Sequence, residues 1–186
     1  MVPKIIDICN SFNKNLPNDS SYKNLNSMLI YDTSGLKPKV KENNPKTLVS
    51  EMNKQNYNAY AAAYKNMPKH SDANPDIRLD FVNGHFGYFY KFGIVTNCFG
   101  IPLKIHFFDG NFYSSFKEDS ETPEDQKYSY DNASLKYVLK PFLNTLESEF
   151  KFTTFLGNSE FDSYNNFGFL KSLGFKKVFI PVNQSS

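Results

Sequence analysis

The sequence predicts an α/β fold, a mixed sheet with helices on its faces, and three observations point there. Residues 152–182, FTTFLGNSEFDSYNNFGFLKSLGFKKVFIPV, read in one short span as strand, sharp turn, helix and strand. Residues 81–94 alternate aromatic and smaller residues and are followed, after Cys98-Phe99-Gly100, by a returning apolar run at 101–108. Between these regions Leu135, Val138, Leu139, Phe142, Leu143 and Leu146 recur at helical spacing.

Composition sets the outer bounds. The 186 residues suit one domain with a buried core, and 17% aromatic with 40% apolar residues argue against wholesale disorder. A formal charge of +2 neither demands nor excludes a nucleic-acid partner, so a DNA-binding surface would have to come from local clusters of lysine. The N-terminal MVPKIIDICN is too short and too polar for a secretory leader, and no stretch has the length to cross a bilayer. Cys9 and Cys98 lie far apart without a C-x-x-C spacing or a histidine pair, which supports neither a disulfide framework nor zinc. A reducing, cytoplasmic setting with no membrane partner is expected.

Taken in order, Pro3 to Phe12 has Ile5, Ile6, Cys9 and Phe12 on one side of a short helix, and the Asn- and Ser-rich residues that follow read as a linker, so 1–27 form an N-terminal segment. Leu25 to Tyr31 is a brief apolar run, read as strand, ending at Asp32 and broken by Gly35. Asn44-Pro45 is a sensible helix start, with helices expected over 47–56 and 57–67. The stripe Tyr57, Tyr60, Tyr64 reads as core before it reads as a base-stacking platform. Polar and proline-bearing residues 69–80 close this helical insertion, which occupies about 37–80. In the hairpin that follows, Gly93 marks close packing and His106 a structural place, while His70 has no recognisable setting. Residues 109–130, with Glu118, Asp119, Glu121, Glu124 and Asp125 around Pro123, read as a solvated acidic loop that would repel a DNA backbone. Pro141 is expected to kink or divide the helix over 131–150.

In the closing span, Gly157 ends the first strand, which puts Asn158 at the carboxyl edge of a buried strand, where open α/β sheets bind ligands. Asp162 and Ser163 open the helix, with Tyr164, Phe167, Phe169, Leu170 and Leu173 on its apolar face and Asp162 as its cap. Gly174 ends it, and 177–182 return as strand.

Several of these stretches resemble DDE transposases of bacterial insertion sequences. FLGNSEFDSYNNFGFLKSLGF is similar to the segment around that family's second catalytic aspartate, and YDTSGLKPKVKENNPK to the segment around the first. NGHFGYFYKFGIVTNCFGI and DNASLKYVL resemble two further segments that come between them. The resemblance covers about 31–183 and implies a ribonuclease H-like mixed sheet over 28–186, with the helical insertion after the first strand. The family reaction is cleavage and strand transfer of DNA, in which paired Mg²⁺ or Mn²⁺ ions held by two aspartates and a glutamate drive phosphoryl transfer.

By that resemblance Asp32 matches the first aspartate and the metal ligand, whereas Asn158 stands where the second aspartate belongs. An asparagine carbonyl brings no charge and its NH₂ is a donor. Losing one charge about 4 Å from a cation forfeits on the order of 4 kcal/mol per unit of cation charge, roughly a thousandfold in rate if all of it falls on the barrier. The family glutamate belongs on a helix after the last strand, and the sequence given stops at Ser186, so the expected product is a truncated, inactive fragment with that last helix missing. The resemblance implies DNA, the transposon ends, as partner, with His85 and Lys136 as contacts, and either a homo-oligomer or association with a full-length transposase. A non-catalytic DNA-binding module is the alternative, using lysines such as Lys37, Lys39, Lys41, Lys176 and Lys177.

Overall fold

A computed structural model describes residues 27–44, 67–82, 85–118, 130–146 and 152–182, with single positions 11, 15 and 25. The helices expected at 3–12, 47–56 and 57–67, and the acidic residues 119–125, lie outside the described residues apart from isolated positions. Six strands form one mixed sheet: β1 (Met28–Leu36), β2 (Ile77–Val82), β3 (His85–Asn97), β4 (Pro102–Phe107), β5 (Thr154–Leu156) and β6 (Lys177–Phe179). Among the described residues three helices accompany it: α1 (Gly110–Glu118), α2 (Tyr130–Asn144) and α3 (Tyr164–Ser172). The sheet order is β2-β3-β1-β5-β6, with β4 also paired to β3.

β5 runs parallel to β1 and to β6, with Ile30 opposite Leu156 and Leu156 opposite Phe179 as the last pairs. No helix among the described residues is long and apolar enough to cross a membrane. By packing, the chain divides into two compact units, one of residues 1–33, 93–106 and 116–186, the other of 34–92 and 107–115.

In the first unit, Leu29 and Tyr31 alternate inward along β1 and are fully buried. The Tyr31 hydroxyl and the buried Ser134 hydroxyl of α2 share a hydrogen bond of 2.6 Å. Gly93 makes room for it, because a Cβ there would collide with the Tyr31 hydroxyl and ring. Leu135, Val138, Leu139 and Phe142 give α2 its buried stripe. α2 runs through Pro141 as one helix, so the expected division does not occur. Proline lacks one N–H, and the burial of Val138, Leu139 and Phe142 on both sides of it outweighs that loss.

The second unit holds a cluster of Met67, Ile77, Leu79, Phe86 and Tyr88, flanked by Val40 and Tyr90. Here the expectation of one strand over 81–94 after a polar closing segment is corrected. Strand begins at Ile77, and β2 and β3 are antiparallel partners from Ile77 opposite Tyr90 to Val82 opposite His85. Two residues separate the last pair, and their identity, Asn83-Gly84, is the commonest signature of a two-residue hairpin connection.

The acidic loop expected at 109–130 is also corrected at its start, where α1 occupies 110–118. The Asp109 carboxylate accepts from Phe112 N–H at 3.0 Å and so caps the helix, while Phe112 and Tyr113 are buried. Arg78 of β2 lies over the Tyr113 ring, 3.4 Å from its centre.

The closing strand-turn-helix-strand is present, with three local differences. The Ser163 hydroxyl, not Asp162, caps α3 by accepting from Asn166 N–H at 3.2 Å. Asp162 instead closes the short 3-10 helix Ser159–Phe161. The buried face of α3 is Asn166 with Leu170, whereas Tyr164 is 97% exposed, because the helix starts there and its first residue projects from the end. Gly174 ends α3 with φ at 92°, a conformation that glycine adopts without strain. β6 stops at Phe179, short of the expected 182, and Pro181 limits its extension.

Candidate functional site at the carboxyl edge of the parallel strands

β5 ends at Leu156, and the chain turns at Gly157 into Asn158. The Gly157 N–H donates to the Phe179 carbonyl at 3.0 Å, which ties this turn to β6. A Cβ at Gly157 would press on the Phe155 and Phe161 rings, so glycine lets the chain turn sharply over two buried aromatics. Phe161 in turn packs on Tyr31, with ring centres 5.2 Å apart, and that anchors the short 3-10 helix beside β1.

Asp32 is placed by β1. The sequence reading put it at a strand end, whereas β1 continues to Leu36 with Asp32 as its fifth residue. What ends near Asp32 is the pairing with β5, whose last register pair on β1 is Ile30. Asp32 is therefore two residues beyond the ladder, as Asn158 is two residues beyond Leu156, and the two side chains come together. Asn158 Nδ2 donates to Asp32 Oδ1 at 2.9 Å. The same carboxylate oxygen accepts the Thr33 N–H at 2.9 Å, and Asn158 Oδ1 accepts the Glu160 N–H at 3.0 Å.

The two bonds of Asn158 fix which way its amide faces. Turning it over would set its oxygen against the Asp32 carboxylate and its NH₂ against the Glu160 N–H, an acceptor pair and a donor pair at once. The nitrogen must face Asp32.

Beyond the pair, side-chain amides continue the frame. Asn132 Nδ2 of α2 donates to the Glu160 carbonyl at 2.7 Å, and Asn132 Oδ1 accepts from Asn166 Nδ2 at 3.2 Å. Asn166 Nδ2 also reaches the Phe161 carbonyl at 3.1 Å. Asn166 is nearly fully buried, so its satisfied amide holds α3, α2 and the 3-10 helix together. Sequence reasoning did not single out Asn132 or Asn166, since asparagine in a helical run has no signal of its own.

The donor set does not suit a two-cation centre. Such a centre needs charged oxygens that can bridge, and here position 158 presents a nitrogen donor to Asp32 while its one oxygen is engaged by Glu160 N–H. Among the described residues no group of three or more His, Cys, Asp or Glu side chains is placed to hold a metal ion.

The other sequence candidates sit elsewhere. Lys136 is exposed on α2. In the second unit, His85 is exposed as the first residue of β3, and Lys37 and Lys39 are exposed beyond the end of β1. The Lys37 stem lies over Gly87, where a Cβ would come 3.3 Å from its Cε.

The second unit also holds a polar cluster that the E-N-N-P motif did not reveal as such. Glu42, 8% exposed, accepts from the Ser71 hydroxyl and the Asp72 N–H, both at 2.9 Å. Asn43 accepts from Tyr88 N–H at 2.9 Å and donates to the Tyr88 and Pro38 carbonyls at 2.8 and 3.0 Å. Asn44 closes the short 3-10 helix Lys41–Asn43 in extended conformation, and the helix expected to start at Asn44-Pro45 lies outside the described residues. The Asp72 N–H holds the Glu42 carboxyl below its ordinary value against the opposing effect of burial, with help from Ser71 and Lys41. Burial, reinforced by Glu42 and Asp72, pushes the Tyr88 phenol up to about 12. Tyr88 donates to the Pro68 carbonyl at 2.7 Å, so this cluster binds chain segments and offers no reactive group.

No protein-family model matches the chain, and comparison with curated proteins and with solved structures returns no match either.

Proposed function

We propose that this chain is a catalytically inactive derivative of a DDE transposase on a ribonuclease H-like sheet, whose remaining capacity is DNA binding. Support for the fold comes from the strand path. β1 has β3 on one side, with β4 antiparallel to it across a tight turn, and on the other side β5 and β6, parallel and joined through α3. The plan implied by the resemblance puts the first aspartate on that central strand and the second at the tip of the adjoining parallel strand. Asp32 on β1 and Asn158 just past the end of β5 support that reading. β2 then belongs to the insertion that follows the first strand.

The single observation behind inactivity is the 2.9 Å hydrogen bond from Asn158 Nδ2 to Asp32 Oδ1. It satisfies the aspartate with an amide where the family chemistry would need a second carboxylate and a metal ion. No catalytic step is assigned to the chain. The deciding experiment incubates the purified protein with supercoiled and hairpin-ended DNA in Mg²⁺ and in Mn²⁺. No nicking or joining is expected. Metal-dependent cleavage that vanishes in Asp32→Ala would overturn the proposal.

DNA binding without cleavage is the second reading, favoured by the exposed places of Lys37, Lys39, Lys136 and His85. Retention on DNA that weakens steeply between 50 and 200 mM salt is its expected signature. Absent or salt-insensitive retention would leave it without support.

A further inference from the structure

We infer that Asp80, held in place by Lys91, closes the outer edge of β2 against strand pairing with a second copy of this chain. Both residues belong to the second unit. The inference holds whether or not the chain binds DNA.

β2 is the terminal strand of the sheet path, so one of its edges is turned away from β3. Such an edge offers backbone N–H and C=O groups to any strand that approaches it. Among the described residues, segment 69–71 covers the first part of that edge. Ser71 N–H donates to the Ile77 carbonyl at 2.9 Å and Leu79 N–H to the Lys69 carbonyl at 3.0 Å, with His70 facing Arg78 in a single antiparallel bridge. Residues 77 and 79 therefore turn their backbone groups outward, and by alternation Phe81 does too. At Phe81 a side chain takes over from the covering segment. Phe81 N–H donates to Asp80 Oδ1 at 2.7 Å, which fills the direction from which a neighbouring strand's carbonyl would come. The Phe81 side chain is 48% exposed beside it, so an uncapped donor here would stand next to apolar area.

Lys91 makes this more than a local turn of one carboxylate. Its ammonium lies 3.4 Å from Asp80 Oδ2, and its side chain is only 5% exposed. A buried ammonium needs a charged partner, so the carboxylate is fixed with one oxygen on Lys91 and the other on the strand edge. Inward-facing charge is one of the ways in which edge strands avoid pairing. The segment IRLDFV is otherwise rich in the β-branched and aromatic residues that favour pairing.

Sedimentation of the full chain without DNA, over a wide range of concentration, provides the test. Asp80→Ala alone would strand the Lys91 ammonium, so each change at 80 is combined with Lys91→Met. Asp80→Ala with Lys91→Met removes the cap and should self-associate, its mean mass rising with concentration to at least twice that of the monomer. Asp80→Asn with Lys91→Met returns an oxygen acceptor to Phe81 N–H and should keep the native mass throughout. Hydrogen exchange in the native chain is the measurement that needs no variant. The Phe81 amide should be protected although it points away from β3, and equally so at low and high concentration. An Ala/Met protein that keeps the native mass at every concentration, or an Asn/Met protein that associates as strongly as the Ala/Met one, would overturn the inference. So would a native Phe81 amide that exchanges as fast as an unstructured one or gains protection as the chain is concentrated.

Discussion

Two carboxylates drawn from motif-like stretches of the same sequence have opposite settings. Glu42 is buried, and both its oxygens accept from donors 29 and 30 residues away in the chain. Asp32 is exposed, and one of its oxygens accepts from Thr33 next door and from Asn158 across the sheet edge. The difference teaches that an acidic residue's job follows from who donates to it and how much water remains, not from how suggestive its neighbours in sequence are. Glu42 is part of the second unit's internal scaffolding, and Asp32 is part of a surface that chemistry could reach.

The sharpest test of this contrast is Glu42→Ala. It strands a buried hydroxyl and a backbone N–H, and unpaired buried donors are costly, so the loss should be about 2–4 kcal/mol in urea unfolding. Asn43→Ala should cost a comparable amount, since it removes three bonds, two of them to the Tyr88 backbone. A cost under about 0.5 kcal/mol for either change would erase the distinction drawn between the two acids.

The pH dependence sharpens it further. Glu42 has its folded pKa depressed below 4.5, chiefly by the Asp72 N–H. For a depressed carboxylate, the stability it supplies is fully present above its unfolded pKa and is lost as pH falls through the folded value. Native stability should therefore decline below about pH 4.5 in part through Glu42, and Glu42→Gln should flatten that part of the curve. The comparison is between urea midpoints of the two proteins from pH 7 down to pH 3. Parallel curves would show that Glu42 takes no part.

What could be read from the sequence follows the range of the interactions involved. The strand-turn-helix-strand of 152–182 was legible because its signals are local: Gly157 at the turn, Ser163 ahead of the helix, Gly174 after it. The meeting of Asp32 with Asn158 was legible only through resemblance, since 126 residues separate them. The Glu42 and Asn43 bonds had no such guide, and neither residue type predicts a partner in the 71–72 loop or on β3. α1 was missed because acidic residues from 118 onward masked a short helix that Asp109 caps and two aromatics hold down. β2 escapes a reading of 81–94 as one strand, although Asn83-Gly84 within that run is by its residue types a hairpin signature. The apolar face of α3 was misread at Tyr164 because periodicity cannot tell the first residue of a helix from its interior.

The smallest expected effect belongs to the residue with the strongest catalytic resemblance. Asp32→Ala removes an exposed acceptor whose donors, Thr33 N–H and the Asn158 amide among them, can turn to water, so it should cost no more than about 1 kcal/mol. The Asn158 side chain would still cap the 3-10 helix through Glu160 N–H, which keeps the turn after β5 intact. A loss as large as that of Glu42→Ala would mean that the Asp32-Asn158 bond is a main support of the first unit. In that case the exposure of the pair would be a poor guide to its energetic weight, and the line drawn between scaffold and surface would have to move.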